Sequence, residues 1–390
     1  MRIPYLWLLI LLPVKLFAGE LTGYVALDNR LFFEEPQFDE QRSNNAVSFV
    51  VEPEYYHVSK DEKDTITFRP FVRYDYYDSH RTHVDFRQFD WLHVGGDWEL
   101  RAGFSKVFWG VAESNHLIDI INQTDVIEDI DGEDKFGQPM VQYAMLKDWG
   151  TLRLYYLPYF RERIFASQDG RLRSGQLVEY NDPIYDNGAK EWHPSFAARY
   201  ENVLGDWDVG IGHFSGVGRD PRFQIVSNVY VPVYDVIEQS SVDLQLTTDS
   251  WLWKFEAIGR SGQGDRFYAT VFGGEYTLYS LFESDLDLGL ISEYSYDGRD
   301  ENAPATVLDN DVFFGSRLTF NDSSDTEMLA GIFFDDQTQA ISYAFEMSTR
   351  YGNRWKLELD VRIYGDAEVG TIEAGLEKDS HAQLRIARYF

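Results

Sequence analysis

The stretch Trp109–Phe136 concentrates side chains that can attract ions, since it carries eight carboxylates against a single lysine. Inside a low-dielectric passage such a cluster focuses a field that favours cations and repels anions. A solvated acidic surface loop has the same composition, so the chemistry depends on where the stretch lies. The eight acidic residues are Glu113, Asp119, Asp125, Glu128, Asp129, Asp131, Glu133 and Asp134.

The end of this stretch, DIDGED at 129–134, offers closely spaced oxygen ligands of the kind that a hard cation prefers. Its spacing departs from an EF-hand loop, because Gly132 stands at the fourth position and Met140 replaces the bidentate Glu of the twelfth. Asp129, Asp131 and Glu133 are therefore a weak calcium candidate. We predict no other metal and no cofactor.

Enzyme signatures are weak. The eight histidines are scattered and no G-x-S-x-G motif is present. His80 and His83, beside Asp78 and Asp85 in a tight connection, form the best acid–base cluster. Loop charges facing water explain this cluster at least as well, so we predict that the protein is not an enzyme.

The N-terminus, residues 1–18, has the pattern of a secretory signal peptide: Arg2, an apolar run over 5–14, and a small residue at Ala18. The run is too short for a transmembrane helix, and a buried N-terminal helix is the alternative. With no cysteine, disulfides, thiolate metal sites and a lipidated cysteine are excluded. The formal charge of −30 argues against nucleic acid as a partner.

Residues 19–390 are dominated by alternation of apolar and polar residues, often over ten residues or more, which suits tilted membrane-spanning strands better than the shorter strands of a soluble sandwich. We predict an all-β fold: a single closed antiparallel transmembrane β-barrel of about 18 strands, with 16 as the alternative. The predicted strands are 20–33, 44–59, 65–78, 83–94, 98–109, 140–147, 151–163, 191–203, 207–218, 238–247, 251–261, 265–281, 285–298, 308–320, 326–335, 339–349, 355–365 and 381–390. The segments 83–94 and 207–218 alternate poorly and are the weakest of these assignments.

A barrel of this size encloses water, so its polar faces should line the lumen and carry paired charges of both signs. Any such wall is polar and mixed, so no single residue marks a binding site. The predicted wall residues are Arg69, Arg73, Arg101, Glu256, Arg260, Arg317, Glu358 and Arg362.

Every second connection between predicted strands is very short, and several of the others are long, the pattern of outer-membrane barrels with periplasmic turns and extracellular loops. The last strand, HAQLRIARYF, resembles the C-terminal strand of bacterial outer-membrane proteins, whose terminal aromatic, here Phe390, is read by the insertion machinery. Arg388 departs from that pattern, because it shares a face with Phe390 where an apolar residue is usual; its head could snorkel to the interface.

Leu100–Asp125 resembles a segment of a largely uncharacterised family of Gram-negative outer-membrane barrels, in which G-x-x-x-x-x-W-G at a strand end precedes I-N-x-x-D. The resemblance covers under a tenth of the chain and implies a channel or export role. The architecture as a whole resembles porins, whose third loop folds into the lumen. The matching positions are Gly103, Trp109, Gly110, Ile121, Asn122 and Asp125.

The acidic stretch falls in the third long connection, 110–139, where the porin resemblance places a constriction. Gly110 allows a sharp exit from the strand, Ser114 is a candidate N-cap, and Leu117, Ile120 and Ile121 predict one apolar stripe of a short helix. That stripe would anchor the segment to the wall and present Asp119, Asp125 and the 128–134 cluster to the pore.

These observations predict an outer-membrane protein of a Gram-negative cell, with lipid, the insertion machinery and small solutes as partners and a homo-oligomer left open. The expected function is passive diffusion of small hydrophilic solutes with a preference for cations. The alternatives are a specific facilitator or exporter working with inner-membrane machinery, and a structural or adhesive barrel with a closed lumen.

Overall fold

The computed structural model describes residues 19–42, 44–173, 175–365 and 373–390, so the predicted signal peptide lies outside the described residues. These residues form an all-β structure: a closed 18-stranded antiparallel barrel and a small three-stranded sheet. Among them no helix is long and apolar enough to cross a bilayer.

The strands are numbered along the chain, and eighteen of the twenty-one belong to the barrel. The first nine of these are β1 (Glu20–Phe32), β2 (Asn45–Val58), β3 (Asp64–Asp75), β4 (His83–Val94), β5 (Trp98–Ser105), β6 (Gln138–Lys147), β7 (Gly150–Leu157), β9 (Ser195–Leu204) and β10 (Trp207–Val217). The others are β13 (Val236–Thr247), β14 (Trp251–Ser261), β15 (Phe267–Leu278), β16 (Asp287–Asp297), β17 (Asn310–Thr319), β18 (Glu327–Asp335), β19 (Ile341–Tyr351), β20 (Trp355–Tyr364) and β21 (His381–Tyr389). The small sheet consists of β8 (Ile184–Tyr185), β11 (Arg222–Val226) and β12 (Val229–Tyr234).

Each barrel strand pairs with the next barrel strand, and β1 pairs with both β2 and β21, which closes the sheet. Leu27, for example, lies opposite Phe49 on one side and Ile386 on the other. Closure leaves no unpaired edge, which a hydrocarbon environment would penalise heavily. The antiparallel 18-stranded prediction is therefore confirmed.

The alternation of the sequence sets the two faces of the wall. On β20, Trp355, Leu357 and Ile363 are exposed on the outside. The intervening Glu358 and Arg362 form ion pairs on the lumen side. Near the end of β21, the Arg388 guanidinium lies 5.7 Å from the ring centre of Trp355, a cation–π contact that accommodates a charge on the outward face.

The two weakly alternating segments, 83–94 and 207–218, are strands, β4 and β10. The contents of the lumen explain the weak pattern of β10. On β10, Gly210 and Gly212 stand where side chains would point inward. A Cβ at Gly212 would lie 3.0 Å from the Trp109 ring, and one at Gly210 would lie 2.3 Å from the Asp243 carboxylate. At these two positions β10 has no inward side chain, because the lumen is already filled there.

The connections at the rim opposite the termini interlock. Residues 158–194, between β7 and β9, contact three other connections. Gln41 Nε2 donates to the Gly170 carbonyl at 3.0 Å, and Arg171 Nε donates to Asp379 at 2.6 Å. His80 Nδ1 lies 2.9 Å from the Phe165 carbonyl. This rim is therefore covered by loops that are bonded to one another.

The barrel wall has no room for a side chain at Gly103 in β5. Its φ is +135°, and a Cβ there would lie 2.2 Å from the Phe89 carbonyl oxygen and 2.8 Å from the Asp90 Cα. We expect Gly103→Ala to lower the free energy of unfolding by about 3 kcal/mol, since backbone strain adds to a steric clash. Urea unfolding in detergent measures the loss. Gly96→Ala is the control, because nothing lies within 4 Å of its Cβ position; equal stability of the two variants would contradict the register.

Candidate functional site

The connection between β5 and β6, residues 106–137 and here called L3, crosses the interior of the barrel. Its early part hydrogen-bonds to Glu256 on β14 and Glu293 on β16. Its later part ion-pairs with Arg30 on β1 and Arg73 on β3. Because these strands belong to opposite parts of the wall, L3 bridges the lumen.

Two wall glutamates bind the early backbone of L3. Glu256 accepts hydrogen bonds from the N–H groups of Val111 (2.6 Å), Ala112 (2.9 Å) and Ile118 (3.2 Å). Glu293 accepts from the N–H of Ser114 at 2.8 Å and from its hydroxyl at 2.7 Å. Hydrogen bonds to an ionised acceptor are among the stronger ones in proteins. These carboxylates therefore supply partners for backbone groups that have no sheet to join.

The predicted helix in L3 is wrong. Among the described residues, helical turns are limited to 3₁₀ segments of three residues, and L3 has none of them. Ser114 does not cap a helix, because its hydroxyl and N–H both bond to Glu293. Glu256 takes the N–H of Ile118, which a helix beginning after Ser114 would have paired within the chain, and the periodic apolar residues follow an irregular path. β5 ends at Ser105 rather than at 109, because the N–H groups of Val107 and Trp109 bond to Asn122 and Asp119 of L3 instead of to a neighbouring strand.

The apolar residues of L3 nevertheless form the expected anchor. Trp109, Ile118, Ile120 and Ile121 are buried in one cluster with inward residues of the wall. Phe214, Ile237, Ile258, Phe267 and Ala269 are the wall members from β10, β13, β14 and β15. Beside this cluster, Arg219 Nη2 donates a hydrogen bond to the Ile121 carbonyl at 2.7 Å. Side chains of the wall and of L3 thus form a packed core inside the barrel.

Asn122 and Gly110, two of the six positions of the family-like motif, help to hold L3 in place. Asn122 is fully buried: its Nδ2 donates to the carbonyls of Ser105 (2.9 Å) and Phe136 (2.8 Å), and its Oδ1 accepts from the Val107 N–H (2.9 Å). It joins the beginning and the end of L3. Gly110 has φ +139°, and a Cβ there would lie 2.9 Å from Glu256 Oε1. The family assignment itself stays a prediction.

A cavity of about 550 Å³ lies between L3 and strands β17–β21. It brings together six of the eight predicted pore acids. Arg317 and Arg385 are the two basic residues of its lining. The six L3 residues are Glu113, Glu128, Asp129, Asp131, Glu133 and Asp134, and the wall adds Glu327, Glu346, Glu358 and Asp360.

Asp119 and Asp125 do not line this cavity, contrary to the expectation that they face the pore. Both are buried within the barrel. Lys135 Nζ lies 3.1 Å from Asp119, and Arg87 Nη1 lies 2.8 Å from Asp125. A buried carboxylate needs a counter-charge, so these two residues are drawn to cations of L3 and β4 instead.

The electrostatics of L3 differ along its length. Burial alone would raise the pKa of Glu128, but the guanidinium groups of Arg73 and Arg81 hold it at about 2. Burial raises the pKa of Asp131, and the neighbouring Asp129 charge raises it further. Burial also raises the pKa of Glu133, with Glu346 adding to the effect. Glu128 is therefore a fixed charge, whereas Asp131 and Glu133 can titrate above the usual carboxyl range.

The eight predicted wall residues divide into two groups. Four contact L3. Glu256 accepts from backbone N–H groups of L3, and three arginines pair with its acids: Arg73 with Glu128, Arg317 with Glu113 and Arg362 with Asp131. The other four bond to side chains on the barrel wall or in its other connections: Arg69 with Glu52, Arg101 with Asp90, Arg260 with Gln239 and Asp220, and Glu358 with Lys356 and Arg385.

Wall residues outside these eight also hold L3, among them Arg30, Arg87, Lys254 and Glu293. Arg30 lies 3.4 Å from Asp129, and Lys254 lies 3.4 Å from Glu113. Strand alternation could have placed each of them inside the barrel. Which inward residue meets L3 depends on the path of the loop, and the sequence does not specify that path.

The calcium candidate and the acid–base cluster are both arranged differently from expectation. Asp129 and Asp131 each ion-pair with an arginine, Arg30 and Arg362 respectively. Asp78 accepts from the backbone N–H of His80, so it organises a turn. His83 lies beside Asp125 and Glu128 instead of Asp78 and Asp85.

No family model matches the chain, and no curated protein matches it in sequence. The structure is similar to that of Wzi, an outer membrane protein involved in group 1 capsule assembly in Escherichia coli and described as a carbohydrate-binding β-barrel. The TM-score is 0.54 at 6% identity, over 94% of this chain and 84% of that chain. A variant of the Rh. blastica porin aligns with a TM-score of 0.45 at 11% identity, over 95% of this chain and 100% of that chain. What the likeness to Wzi shows is the fold, which is that of an outer-membrane β-barrel.

The glutamate contacts predict how L3 can be released. In Glu256→Ala combined with Glu293→Ala, the N–H groups of Val111, Ala112 and Ser114 lose their acceptors, at about 1–3 kcal/mol for each buried group. We expect amide hydrogen exchange in residues 110–118 to accelerate roughly tenfold or more, since 1.4 kcal/mol is a factor of ten. Glu275→Ala is the control, because Glu275 lies in β15 and its ion pair is with Arg317. Unchanged protection in the double variant would mean that the glutamates do not hold L3.

Proposed function

We propose that the protein is an outer-membrane channel for passive diffusion of small hydrophilic solutes, with a preference for cations. L3 is its constriction. The membrane would be that of a Gram-negative cell, reached through the signal peptide, with Phe390 presented to the insertion machinery.

The observation that carries this proposal is the composition of the 550 Å³ cavity beside L3. Ten carboxylates line it against two arginines, and they come from both sides, L3 and the wall. A passage bounded by protein on both sides focuses the field of these charges, so cations are concentrated and anions are repelled. The volume suits small solutes and hydrated ions.

The arginines of the wall support selective passage of cations rather than tight binding of every cation at the acidic lining. Arg317 contacts Glu113 and lies 3.8 Å from Glu275, and Arg362 contacts Glu346 at 2.6 Å and Asp360 at 3.0 Å. These arginines neutralise part of the acidic lining and hold side chains in place. A cation can then pass from one carboxylate to the next without a single deep binding site, which conduction requires.

A second candidate is a closed barrel whose outer loops bind an extracellular ligand. The interlocked connections, with Gln41 bonded to Gly170 and Arg171 to Asp379, favour it because they cover one rim. A carbohydrate ligand is the form of this candidate that the likeness to Wzi suggests. A specific facilitator or exporter lies between the open channel and the closed barrel: a partner protein would open the loops that cover the rim.

Conductance separates these candidates. Protein reconstituted in a planar bilayer under a salt gradient should show discrete conductance with a cation-selective reversal potential. Silence would contradict the channel and favour the closed barrel, whereas anion selectivity would contradict the role of the acidic lining alone.

The lining makes a specific prediction for substitution. Replacing Glu133, Glu327, Glu346 and Glu358 together by Gln should lower the cation-to-anion permeability ratio by about fivefold or more, because a charge about 8 Å from an ion contributes about 2 kcal/mol at an effective dielectric constant of 20. The reversal potential measures the ratio. Four acids outside the cavity, namely Asp61, Glu62, Glu283 and Glu301, all exposed, are replaced in the control. Equal effects in the two variants would assign selectivity to overall charge.

The raised pKa of Asp131 and of Glu133 predicts a pH dependence. An acid with a raised pKa becomes neutral at a higher pH than an ordinary carboxyl group does. Cation preference should therefore decline as the pH falls from neutrality, at pH values above the ordinary carboxyl pKa of about 4. Reversal potentials across this range measure the decline. Asp131→Asn combined with Glu133→Gln should give a lower and flatter profile. A cation preference that stays constant until the pH reaches the ordinary carboxyl pKa would contradict the role given to Asp131 and Glu133.

A further inference from the structure

His83, the first residue of β4, faces two carboxylates of L3. Its Nε2 lies 3.3 Å from Asp125 Oδ2 and 3.8 Å from Glu128 Oε1. Its Nδ1 lies 3.0 Å from the Arg81 carbonyl, which can only accept a hydrogen bond, so Nδ1 carries the proton. In the neutral ring, Nε2 therefore directs a lone pair at the two carboxylates.

This arrangement leaves buried polar atoms without partners. The His83 side chain is 7% exposed and that of Asp125 is fully buried. Among the described residues, neither His83 Nε2 nor either Asp125 oxygen has a hydrogen-bond partner of suitable geometry. A charge-assisted hydrogen bond would be about 2.7–2.9 Å long, so the separation from Nε2 is too great for one. A cation bound between these three groups would satisfy the lone pair and both carboxylates at once.

We propose that His83, Asp125 and Glu128 bind a divalent transition-metal ion of the Zn²⁺ class. One ligand atom from each residue lies within 4.8 Å of the others. In a tetrahedral site with bonds of about 2.0–2.1 Å, ligand atoms are separated by about 3.3 Å. The distances of 3.3 and 3.8 Å from His83 Nε2 to the two carboxylate oxygens are close to this value. One imidazole nitrogen with two carboxylate oxygens is a donor set that first-row transition metals accept, with a position left for water.

The surrounding groups are arranged as supporting contacts for such a site. Metal-binding histidines usually donate their other N–H to a carbonyl, as His83 does to Arg81. Arg87 Nη1 lies 2.8 Å from Asp125, and Arg73 Nε donates to Glu128 at 2.6 Å, which orients both carboxylates.

The two arginines leave negative charge available at the site. Arg73 also binds Asp28 at 2.7 Å, and Arg87 also lies 3.5 Å from Asp85. Their positive charge is thus shared with two further acids. The metal would join β4 to residues 125–128 of L3, at the opposite end of the loop from Glu256 and Glu293. This assignment does not depend on conduction.

Metal binding by the folded protein tests the site. Protein in detergent is treated with a chelator, dialysed, and incubated with Zn²⁺ in the presence of excess Mg²⁺, which occupies weak carboxylate sites. Metal analysis should find one tightly bound Zn²⁺ per chain, and Co²⁺ in its place should give the visible absorption of a tetrahedral site with nitrogen and oxygen ligands. His83→Asn and Asp125→Asn should each weaken binding by about tenfold or more.

His381→Asn is the matched control. His381 is also buried, and its Nδ1 lies 2.8 Å from a backbone carbonyl, that of Asp379, but it is not part of the three-residue group. It should bind Zn²⁺ like the wild type. Wild-type protein that takes up no Zn²⁺ in excess Mg²⁺, or equal binding by the His83 and His381 variants, would overturn the proposal. If the His83 variant fails to fold, the Asp125 variant and the wild-type Co²⁺ spectrum decide the question, whatever the conductance result.

Discussion

The interior of this barrel depends on acceptors for backbone N–H groups that are buried without a sheet or helix. Glu256 and Glu293 supply them, and together they bind the N–H groups of residues 111–114 and 118. Without such partners, an irregular segment could not be buried in the lumen, because each orphaned group would cost about 1–3 kcal/mol. With them, L3 can cross the barrel and bring its acids to face those of the opposite wall.

The charges of the lumen follow from the same constraint. Where L3 is packed against β1 and β3, two of its acids pair with arginines, Glu128 with Arg73 and Asp129 with Arg30. Where L3 faces open space, Glu133 has no ion pair within the described part of the chain, and it joins the acids of β18–β20 around the cavity. Pairing stabilises the loop on one side, and the unpaired surplus on the other side creates the field that we propose selects cations.

Much of the fold follows from local pattern. Alternation and turn spacing predict all eighteen barrel strands with ends that differ by a few residues, because in a membrane barrel each strand must satisfy lipid on one face and water on the other. The same reasoning places Glu256 and Arg362 on the lumen side. It fails where tertiary contacts override local preference: Leu117, Ile120 and Ile121 have helical spacing, yet Glu256 on the wall takes the Ile118 N–H that a helix would use. It also fails for Asp119 and Asp125, whose partners Lys135 and Arg87 are chosen by the path of the loop.

The central claim is that the acidic face of L3 lines the conducting path, and charged thiol reagents test it most directly. The natural chain has no cysteine, so a Glu133→Cys variant offers a single reactive site. During current recording, a cationic reagent should modify that site faster than an anionic one of equal size, and modification should reduce the cation current. Equal rates for the two reagents, or modification that leaves the current unchanged, would contradict the account.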